Sequence, residues 1–354
     1  MKKNMKRIAQ TLKQGACVGL LLILVLFLLA GEGFAQDVKK VGTSAAVFLK
    51  IPVGARGIAM GSAFVSIADD PSALYWNPGG LPRIEKYALM VDHSPWLPNI
   101  TFNFIGLVLP MRSFGTVGIS VTSLSTAEMD VTTPANPMGT GEKFDAASVV
   151  VGISYGRSLT DWFTIGGTVK YINERIFNSS ATGIGFDIGT IYNTPLPGLR
   201  MGFSISNFGS KMRINGEDLN VRVDVDPTQL GNNQSVVAQF KTDEFDLPLI
   251  MRLGLSYDAW KSDESRVTVA VDGINPNDNA QSLNMGAEAA FLNELLILSG
   301  GFNELLLEDR EKGLTLGASF NPRFSGNFGV NIGYAYQQFE HLPNVNRFTL
   351  TVSF

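Results

Sequence analysis

Alternating apolar residues are the feature of this sequence that most constrains its fold. From Tyr87 to the last residue, the chain breaks into short segments in which every second residue is apolar. Val117, Ile119 and Val121, for example, alternate with small or hydroxylated residues. A period of two indicates β-strands that have one apolar face and one polar or small face. Residues 87–354 are therefore predicted to be all-β.

The number of these segments favours a closed barrel. The fourteen predicted strands cover 87–93, 100–110, 115–124, 145–158, 161–173, 181–193, 198–207, 247–260, 265–274, 281–292, 294–302, 312–320, 327–338 and 345–354. A sheet in lipid must close to satisfy its backbone hydrogen bonds, and an even strand count brings both chain ends to one side. The sequence thus predicts an all-β protein, a transmembrane antiparallel β-barrel of about 14 strands.

The lengths of the connections agree with such a barrel. Connections after even-numbered strands are predicted to be short, whereas two connections after odd-numbered strands cover 125–144 and 208–246. Outer-membrane barrels have short periplasmic turns and longer outer loops, so both chain ends are expected in the periplasm. The polar 208–246 loop is interpreted either as a surface for a secreted partner protein or as a solvated loop.

The first 35 residues have the pattern of a secretory signal peptide. Lysines and an arginine precede an apolar run from Ala16 to Ala30, and a small-residue cleavage site ends at Ala35. An uncleaved anchor helix is the alternative, but spanning a bilayer takes about 20 apolar residues and this run has 15. We expect export and location in the bacterial outer membrane, in contact with its lipid.

Composition excludes several function classes. Residues 1–35 carry five of the 28 basic and one of the 32 acidic residues, so the mature net charge is near −8. No basic cluster remains, which argues against a nucleic-acid partner. The only cysteine, Cys17, lies in the leader, and the mature chain has only His93 and His341 as imidazoles. No metal site and no cofactor are therefore expected.

Catalysis is not expected either. Asp92, His93 and Ser94 resemble part of a catalytic site, but consecutive strand residues point to opposite faces, so Asp92 cannot orient His93. Gly54, Gly57 and Gly61 lack the Gly-Lys-Ser/Thr of a phosphate loop and indicate tight backbone packing instead. The protein is predicted not to be an enzyme.

Residues 36–86 do not show the strand pattern and are predicted to form a hatch or plug inside the barrel. Asp70 resembles a helix N-cap with Pro71 at the first helical position, and Pro78 with the following glycines is expected to end that helix. Arg56 is interpreted as pairing with Asp69, Asp70 or Glu288, or else as a solvated side chain. Tyr75 and Trp76 contact a hydrophobic ligand or pack the hatch against the wall.

The hatch also carries a family resemblance. The motif residues are Arg56, Gly57, Met60, Gly61, Asp69, Asp70, Tyr75, Trp76, Asn77, Pro78 and Gly80. In this order they resemble the amino-terminal signature of the PorV/PorQ family, although Asn-Pro-Gly-Gly stands here where the family has Asn-Pro-Ala-Gly. That family is similar in fold to the FadL transporters. The final Phe354 resembles the carboxy-terminal signal for barrel assembly.

The resemblance implies two alternative functions. Similarity to PorV/PorQ implies a non-enzymatic type IX secretion component that takes secreted cargo proteins from the translocon and presents them for surface attachment. Similarity to FadL implies passive uptake of hydrophobic small molecules. The resemblance implies that the hatch motif either holds the plug in place or gates a ligand or partner.

Overall fold

The computed structural model describes residues 41–226, 228, 235–322 and 328–354. The predicted signal peptide and the first residues of the predicted hatch lie outside the described residues. Residues 41–87 precede the barrel and are called the inner segment. Its helical elements are a 3-10 helix Val47–Lys50, α1 Ala55–Ala59, α2 Ala73–Trp76 and a 3-10 helix Pro78–Arg83. No described helix has the length and apolar composition that crossing a bilayer requires.

Fourteen long strands follow the inner segment. They are β1 Ala88–Leu97, β2 Ile100–Pro110, β3 Thr116–Thr126, β4 Ala146–Thr160, β5 Phe163–Ile176, β6 Ser179–Asn193, β7 Leu199–Gly209, β8 Ile250–Lys261, β9 Arg266–Pro276, β10 Ser282–Phe291, β11 Leu296–Leu305, β12 Lys312–Phe320, β13 Gly329–Phe339 and β14 Val345–Ser353. Each strand pairs antiparallel with its sequence neighbours, and β1 pairs with β14 from Ala88 opposite Ser353 to His93 opposite Phe348. The predicted closed barrel of fourteen strands is confirmed.

The two ends of the barrel differ in their connections. Residues 127–145 and 210–249 join strands at one end, which we call the long-loop end, and the opposite end is the short-turn end. The longer loop contains a hairpin of Asn220–Val223 and Val236–Gln239. Two connections at the long-loop end are shorter than predicted, because β1 continues to Leu97 and β5 to Ile176. Polar residues at these strand ends remain in the sheet, so loss of alternation did not mark the turn.

The outer surface of the wall is apolar. Ile153 and Leu253, for example, are 62% and 56% exposed, while their neighbours Ser154 and Gly254 face inward and are buried. Aromatic side chains collect at the short-turn end, where Trp162 is exposed and Tyr87 stacks on Phe354 at 5.9 Å between ring centroids. An apolar band with an aromatic rim is typical of a barrel that faces lipid.

Candidate functional site: the inner segment and the barrel lumen

The inner segment lies inside the barrel and contacts all fourteen strands. One contacted wall residue on each strand is Asp92 (β1), Gly106 (β2), Gly118 (β3), Gly156 (β4), Gly166 (β5), Gly189 (β6), Gly202 (β7), Gly254 (β8), Asp272 (β9), Gly286 (β10), Gly301 (β11), Gly317 (β12), Gly333 (β13) and Thr349 (β14). Eleven of these residues are glycines. On eleven strands the wall therefore presents at least one position without a side chain to the inner segment.

The contact at β10 and β11 shows why glycine is needed. Met60 and Gly61 run directly against these strands, and a Cβ at Gly301 would lie 2.2 Å from the backbone nitrogen of Gly61. Gly61 itself has a φ of 63° and no room for a Cβ beside the backbone of Met285. At this point the backbone of the inner segment therefore packs directly on the backbone of the wall, and no side chain fits between them.

Arg56 is the centre of a charged cluster within the barrel. Its Nε and Nη2 donate to the two carboxylate oxygens of Glu288 at 2.6 and 2.9 Å, and its Nη1 donates to Asp69 at 2.6 Å. Asp70 lies 3.5 Å from the same guanidinium, and Arg266 binds Glu288 from the other side at 2.9 Å. All three carboxylates considered in the sequence analysis therefore contact Arg56. The cluster ties α1 to the wall strands β9 and β10.

Asp69 and Asp70 respond differently to this cluster. Burial alone would raise the pKa of Asp69, but the charges of Arg56 and Arg83 outweigh it and hold that pKa well below its usual range. Burial raises the pKa of Asp70, because Arg56 opposes it less and the charge of Asp69 adds to the rise. The cluster thus lowers the pKa of Asp69, whereas burial raises the pKa of the adjacent Asp70.

A second anchor joins the inner segment to the seam where the barrel closes. Asp92 on β1 accepts hydrogen bonds from the backbone nitrogen of Gly54 at 3.1 Å, from Arg347 at 2.8 Å and from Thr349 at 2.6 Å. Thr349 in turn accepts from the backbone nitrogen of Ala55 at 2.8 Å. Asp92 and Arg347 are 0% and 1% exposed. A buried charge pair with further hydrogen bonds fixes the entry of α1 against β1 and β14.

The Asn-Pro-Gly-Gly turn forms the third anchor. The Asn77 side chain donates to the carbonyls of Val65 and Thr190 and accepts from the backbone nitrogen of Gly79. The Asn77 amide thus makes three hydrogen bonds, and the one to Thr190 joins the inner segment to β6. Gly80 packs on the Ala68 carbonyl, where a Cβ would lie at 2.0 Å.

The helix expected near this turn begins later than predicted and ends, as predicted, just before Pro78. Helix α2 begins at Ala73, so Pro71 is not its first residue, although Asp70 still accepts hydrogen bonds from the nitrogen and hydroxyl of Ser72. Pro78 begins a further 3-10 helix after Asn77 and does not simply end α2. The reason is that the Asn77 amide caps the next element, which the proline pattern alone does not reveal.

Trp76 and Tyr75 serve mainly to pack the inner segment. Trp76 is 1% exposed, donates to the carbonyl of Val53 at 2.9 Å and covers Gly57, where a Cβ would meet the indole. Tyr75 is half-buried and stands edge-on to Trp76, and the guanidinium of Arg252 lies within 6 Å of both ring centroids. One edge of this pair remains open to a cavity.

The alternating geometry of β1 separates the three residues considered for catalysis. Asp92 and Ser94 face inward and are buried, whereas His93 points outward and bonds Asn103 at 2.8 Å. In the part of the chain that the structure describes, no group of three histidine, cysteine or acidic residues is placed to hold a metal ion.

Two cavities lie on opposite sides of the inner segment. The one toward the short-turn end has a volume of about 370 Å³ and is lined by the charged side chains Arg56, Asp69, Asp70, Arg83 and Arg266. The one at the long-loop end has a volume of about 300 Å³. Most of its lining surface is apolar and comes from residues such as Ala45, Ile176, Ala181, Met212, Ile214 and Phe245, and the charged residues Glu174, Arg175 and Asp243 also line it. The cavity at the long-loop end is therefore suited to an apolar molecule, and the charged cavity toward the short-turn end is not.

Several anchoring residues were not singled out from the sequence. Asp272 accepts hydrogen bonds from the backbone nitrogens of Phe64 and Val65 at 2.8 and 2.9 Å. Glu174 accepts a hydrogen bond from the backbone nitrogen of Ala46 at 3.0 Å. The signal for Asp272 is a lone carboxylate at an inward position of the predicted strand 265–274, whereas Glu174 lies just after the predicted strand 161–173. Such a residue must find a partner inside the barrel, although its position alone does not say which.

Known structures share this architecture. The chain aligns with the Pseudomonas putida toluene transporter TodX at a TM-score of 0.55 and 13% identity, over 85% of this chain and 97% of that one. It aligns with the CymD monoaromatic hydrocarbon channel at 0.53 and 12% identity, over 85% and 96%. A Pseudomonas aeruginosa FadL homologue gives 0.48 at 13% identity, over 85% and 96%. No protein-family model and no curated protein matches the sequence. The first two alignments show a common fold.

Proposed function

We propose that this protein is a non-enzymatic outer-membrane channel for small hydrophobic molecules, with the inner segment as its closed gate. The observation that carries the proposal is the apolar cavity of about 300 Å³ at the long-loop end. It lies between the inner wall and the 210–249 loop, where Ala181 of β6 faces Met212 and Phe245. A concave apolar site of this size accommodates a small ligand.

The long-loop end is assigned to the cell exterior, since outer loops are the longer ones in such barrels. A hydrophobic molecule then passes from the external water into the apolar cavity before it meets the inner segment. Fold likeness to channels for toluene and monoaromatic hydrocarbons agrees with this direction of use, although a shared fold alone does not assign a substrate. Passage requires the inner segment to shift, because it contacts every strand.

The type IX secretion role is supported only by the resemblance of the hatch motif and by the length of the connection between β7 and β8. Neither feature distinguishes a cargo surface from a loop that covers a ligand cavity. The cavity beneath that loop favours the channel, so the uptake function is our conclusion and the secretion function is the alternative.

The test compares uptake of radiolabelled toluene by cells that carry the wild-type protein, an Ala181→Trp variant or an empty vector. The indole fills the cavity, so uptake by Ala181→Trp is expected to fall at least fivefold toward the empty-vector level. Thr182→Trp is the matched control, because the adjacent Thr182 points outward and is exposed. That variant is expected to retain wild-type uptake.

Uptake by wild-type cells that equals the empty-vector level contradicts the channel. Deleting the gene in its own host then decides the alternative by quantitative proteomics of surface and medium. Secreted proteins retained in the periplasm would support the secretion role, and unchanged secretion would refute it.

A further inference from the structure

One sector of the outer face departs from the apolar pattern of the rest of the wall. Six outward positions on four neighbouring strands carry polar side chains, and we call them the polar patch: Asn346 (β14), His93 (β1), Thr101 and Asn103 (β2), and Ser123 and Ser125 (β3). The sheet register places Asn103 between His93 and Ser123. The Ser94 hydroxyl donates to the Asn346 carbonyl at 3.3 Å, which continues the patch to β14. The patch is therefore one surface that crosses the seam of the barrel.

This patch lies within the depth of the lipid. A barrel strand tilted by about 40° rises about 2.5 Å per residue along the barrel axis. His93 lies six residues beyond Tyr87 at the aromatic rim, or about 15 Å from it. Asn103 and Asn346 lie eight residues beyond Met111 and Phe354, or about 20 Å. The apolar band of such barrels is about 25 Å tall, so the patch begins inside it and extends toward the long-loop end.

Strand β6 shows what lipid alone selects at this depth. Phe186 and Ile184 lie six and eight residues beyond Tyr192, and both are apolar and exposed. The outward residues Met251 and Leu253 of β8 are apolar and exposed as well. A polar group in hydrocarbon costs free energy unless it finds a partner. The composition of the patch therefore indicates that something other than lipid tails covers it.

Hydrogen bonds within the chain satisfy only part of the patch. Nδ1 of His93 donates to Oδ1 of Asn103 at 2.8 Å, and the Tyr334 hydroxyl donates to Oδ1 of Asn346 at 2.7 Å. Both bonds use the amide oxygen. The amide nitrogens of Asn103 and Asn346 have no acceptor in the part of the chain that the structure describes. Each amide nitrogen therefore offers its donors to a partner outside this chain.

The chemistry of the patch favours a second copy of this chain as that partner. None of its six residues is a lysine or an arginine, so the phosphates of lipid headgroups would meet no permanent cation there. Amides and hydroxyls both donate and accept hydrogen bonds, so the patch complements itself across a two-fold axis. Thr101, Ser123 and Ser125 are small, and small residues let two membrane proteins approach closely.

We propose that two copies of this protein associate in the membrane through the polar patch, about a two-fold axis along the membrane normal. The amide nitrogens of Asn103 and Asn346 then donate to hydroxyl and amide oxygens of the other copy. Each copy keeps its own lumen, and both long-loop ends face the same side of the membrane. The contact lies directly outside the seam, where Asp92 holds the inner segment. Association does not depend on what the lumen carries.

Sedimentation equilibrium in density-matched detergent measures the molar mass of the purified full-length protein, and we expect a dimer at micromolar concentration. Asn103→Leu/Asn346→Leu replaces both amides by side chains that suit lipid, so it should raise the dissociation constant at least tenfold. Ile184→Leu/Phe186→Leu, at similar depth on β6, is the matched control and should keep the wild-type value. Heat-modifiable migration in electrophoresis verifies the barrel in each variant. If the asparagine variant does not fold, Ser123→Leu replaces it, with the same expected loss.

Energy transfer between copies labelled with donor and acceptor dyes repeats the comparison in lipid vesicles, where no detergent competes for the patch. Where the dimer forms only in vesicles, the same variants are compared there. A wild-type protein that is monomeric in both media overturns the proposal, since lipid or another protein then covers the patch. A dimer that the asparagine variant retains with unchanged affinity also overturns it, because association then uses another face.

Discussion

Neighbouring residues of each strand face different surroundings, because the outer face of the barrel wall contacts lipid and the inner face contacts the inner segment. On the outer face, any apolar side chain suits lipid, and residues such as Leu298 and Leu316 are simply exposed. On the inner face, each position must suit the inner segment, which takes a glycine on eleven strands and a hydrogen-bond acceptor on others. The outer face is specified by a residue class and the inner face by individual contacts. Substitutions at adjacent positions are therefore expected to differ sharply in effect.

The largest difference is expected between Asp92 and His93. Asp92→Ala leaves Arg347 buried without its carboxylate and removes the acceptor of Gly54, so the free energy of unfolding should fall by about 3 to 5 kcal/mol. His93→Ala removes an exposed outward side chain and should leave stability unchanged. Guanidinium unfolding in lipid vesicles, followed by tryptophan fluorescence, measures both. Equal losses in the two variants would break the contrast between the faces.

A smaller contrast is expected between Gly301 and Gly300 on β11. A Cβ at Gly301 meets the Gly61 backbone at 2.2 Å, which neither chain can avoid without moving, so Gly301→Ala should cost about 1 to 3 kcal/mol. A Cβ at Gly300 meets the Leu316 side chain at 3.4 Å and the Thr315 carbonyl at 3.8 Å, both ordinary contact distances, so Gly300→Ala should be neutral or slightly stabilising. The same unfolding experiment applies. A neutral Gly301→Ala variant would show that the inner segment moves freely in the lumen.

The outer face explains why so much of the fold was predictable. Lipid imposes apolar residues at every second position, so β4 was predicted at 145–158 and found at Ala146–Thr160. Errors fall where this signal stops before the strand does. β1, for example, continues through Ser94 and Pro95 because hydrogen bonding to β2 persists. The alternation reports which side faces lipid and not where pairing ends.

The inner face explains why the site was only partly predictable. The partners of Arg56 were predicted because Asp69 and Asp70 lie close to it in sequence and Glu288 is a carboxylate at an inward position of a predicted strand. Asp92, by contrast, was considered only for catalysis, and its role depends on Ala55 and Thr349, which are 294 residues apart. The cavities arise from how the inner segment fills the lumen. No local pattern encodes that fit.

The finest test concerns Asp69 and Asp70, which are adjacent on the inner segment. The pKa of Asp69 is lowered, so its contribution to stability is present above the unfolded-state pKa near 3.8 and is lost as pH falls through the folded-state value. Asp69→Asn should therefore destabilise the protein at pH 7 by about 1 kcal/mol, and the difference from wild type should shrink as pH falls below 3.8.

Asp70 should give the opposite sign. Its pKa is raised, so stability falls as pH rises from the unfolded-state value through the folded-state one. Asp70→Asn keeps an oxygen for the Ser72 hydrogen bond and removes the costly charge, so it should match or exceed wild-type stability at pH 7 and lose any advantage in acid. Unfolding free energies of both variants across pH 3 to 7 decide this. Two variants with the same pH profile would mean that Arg56 does not distinguish the adjacent carboxylates.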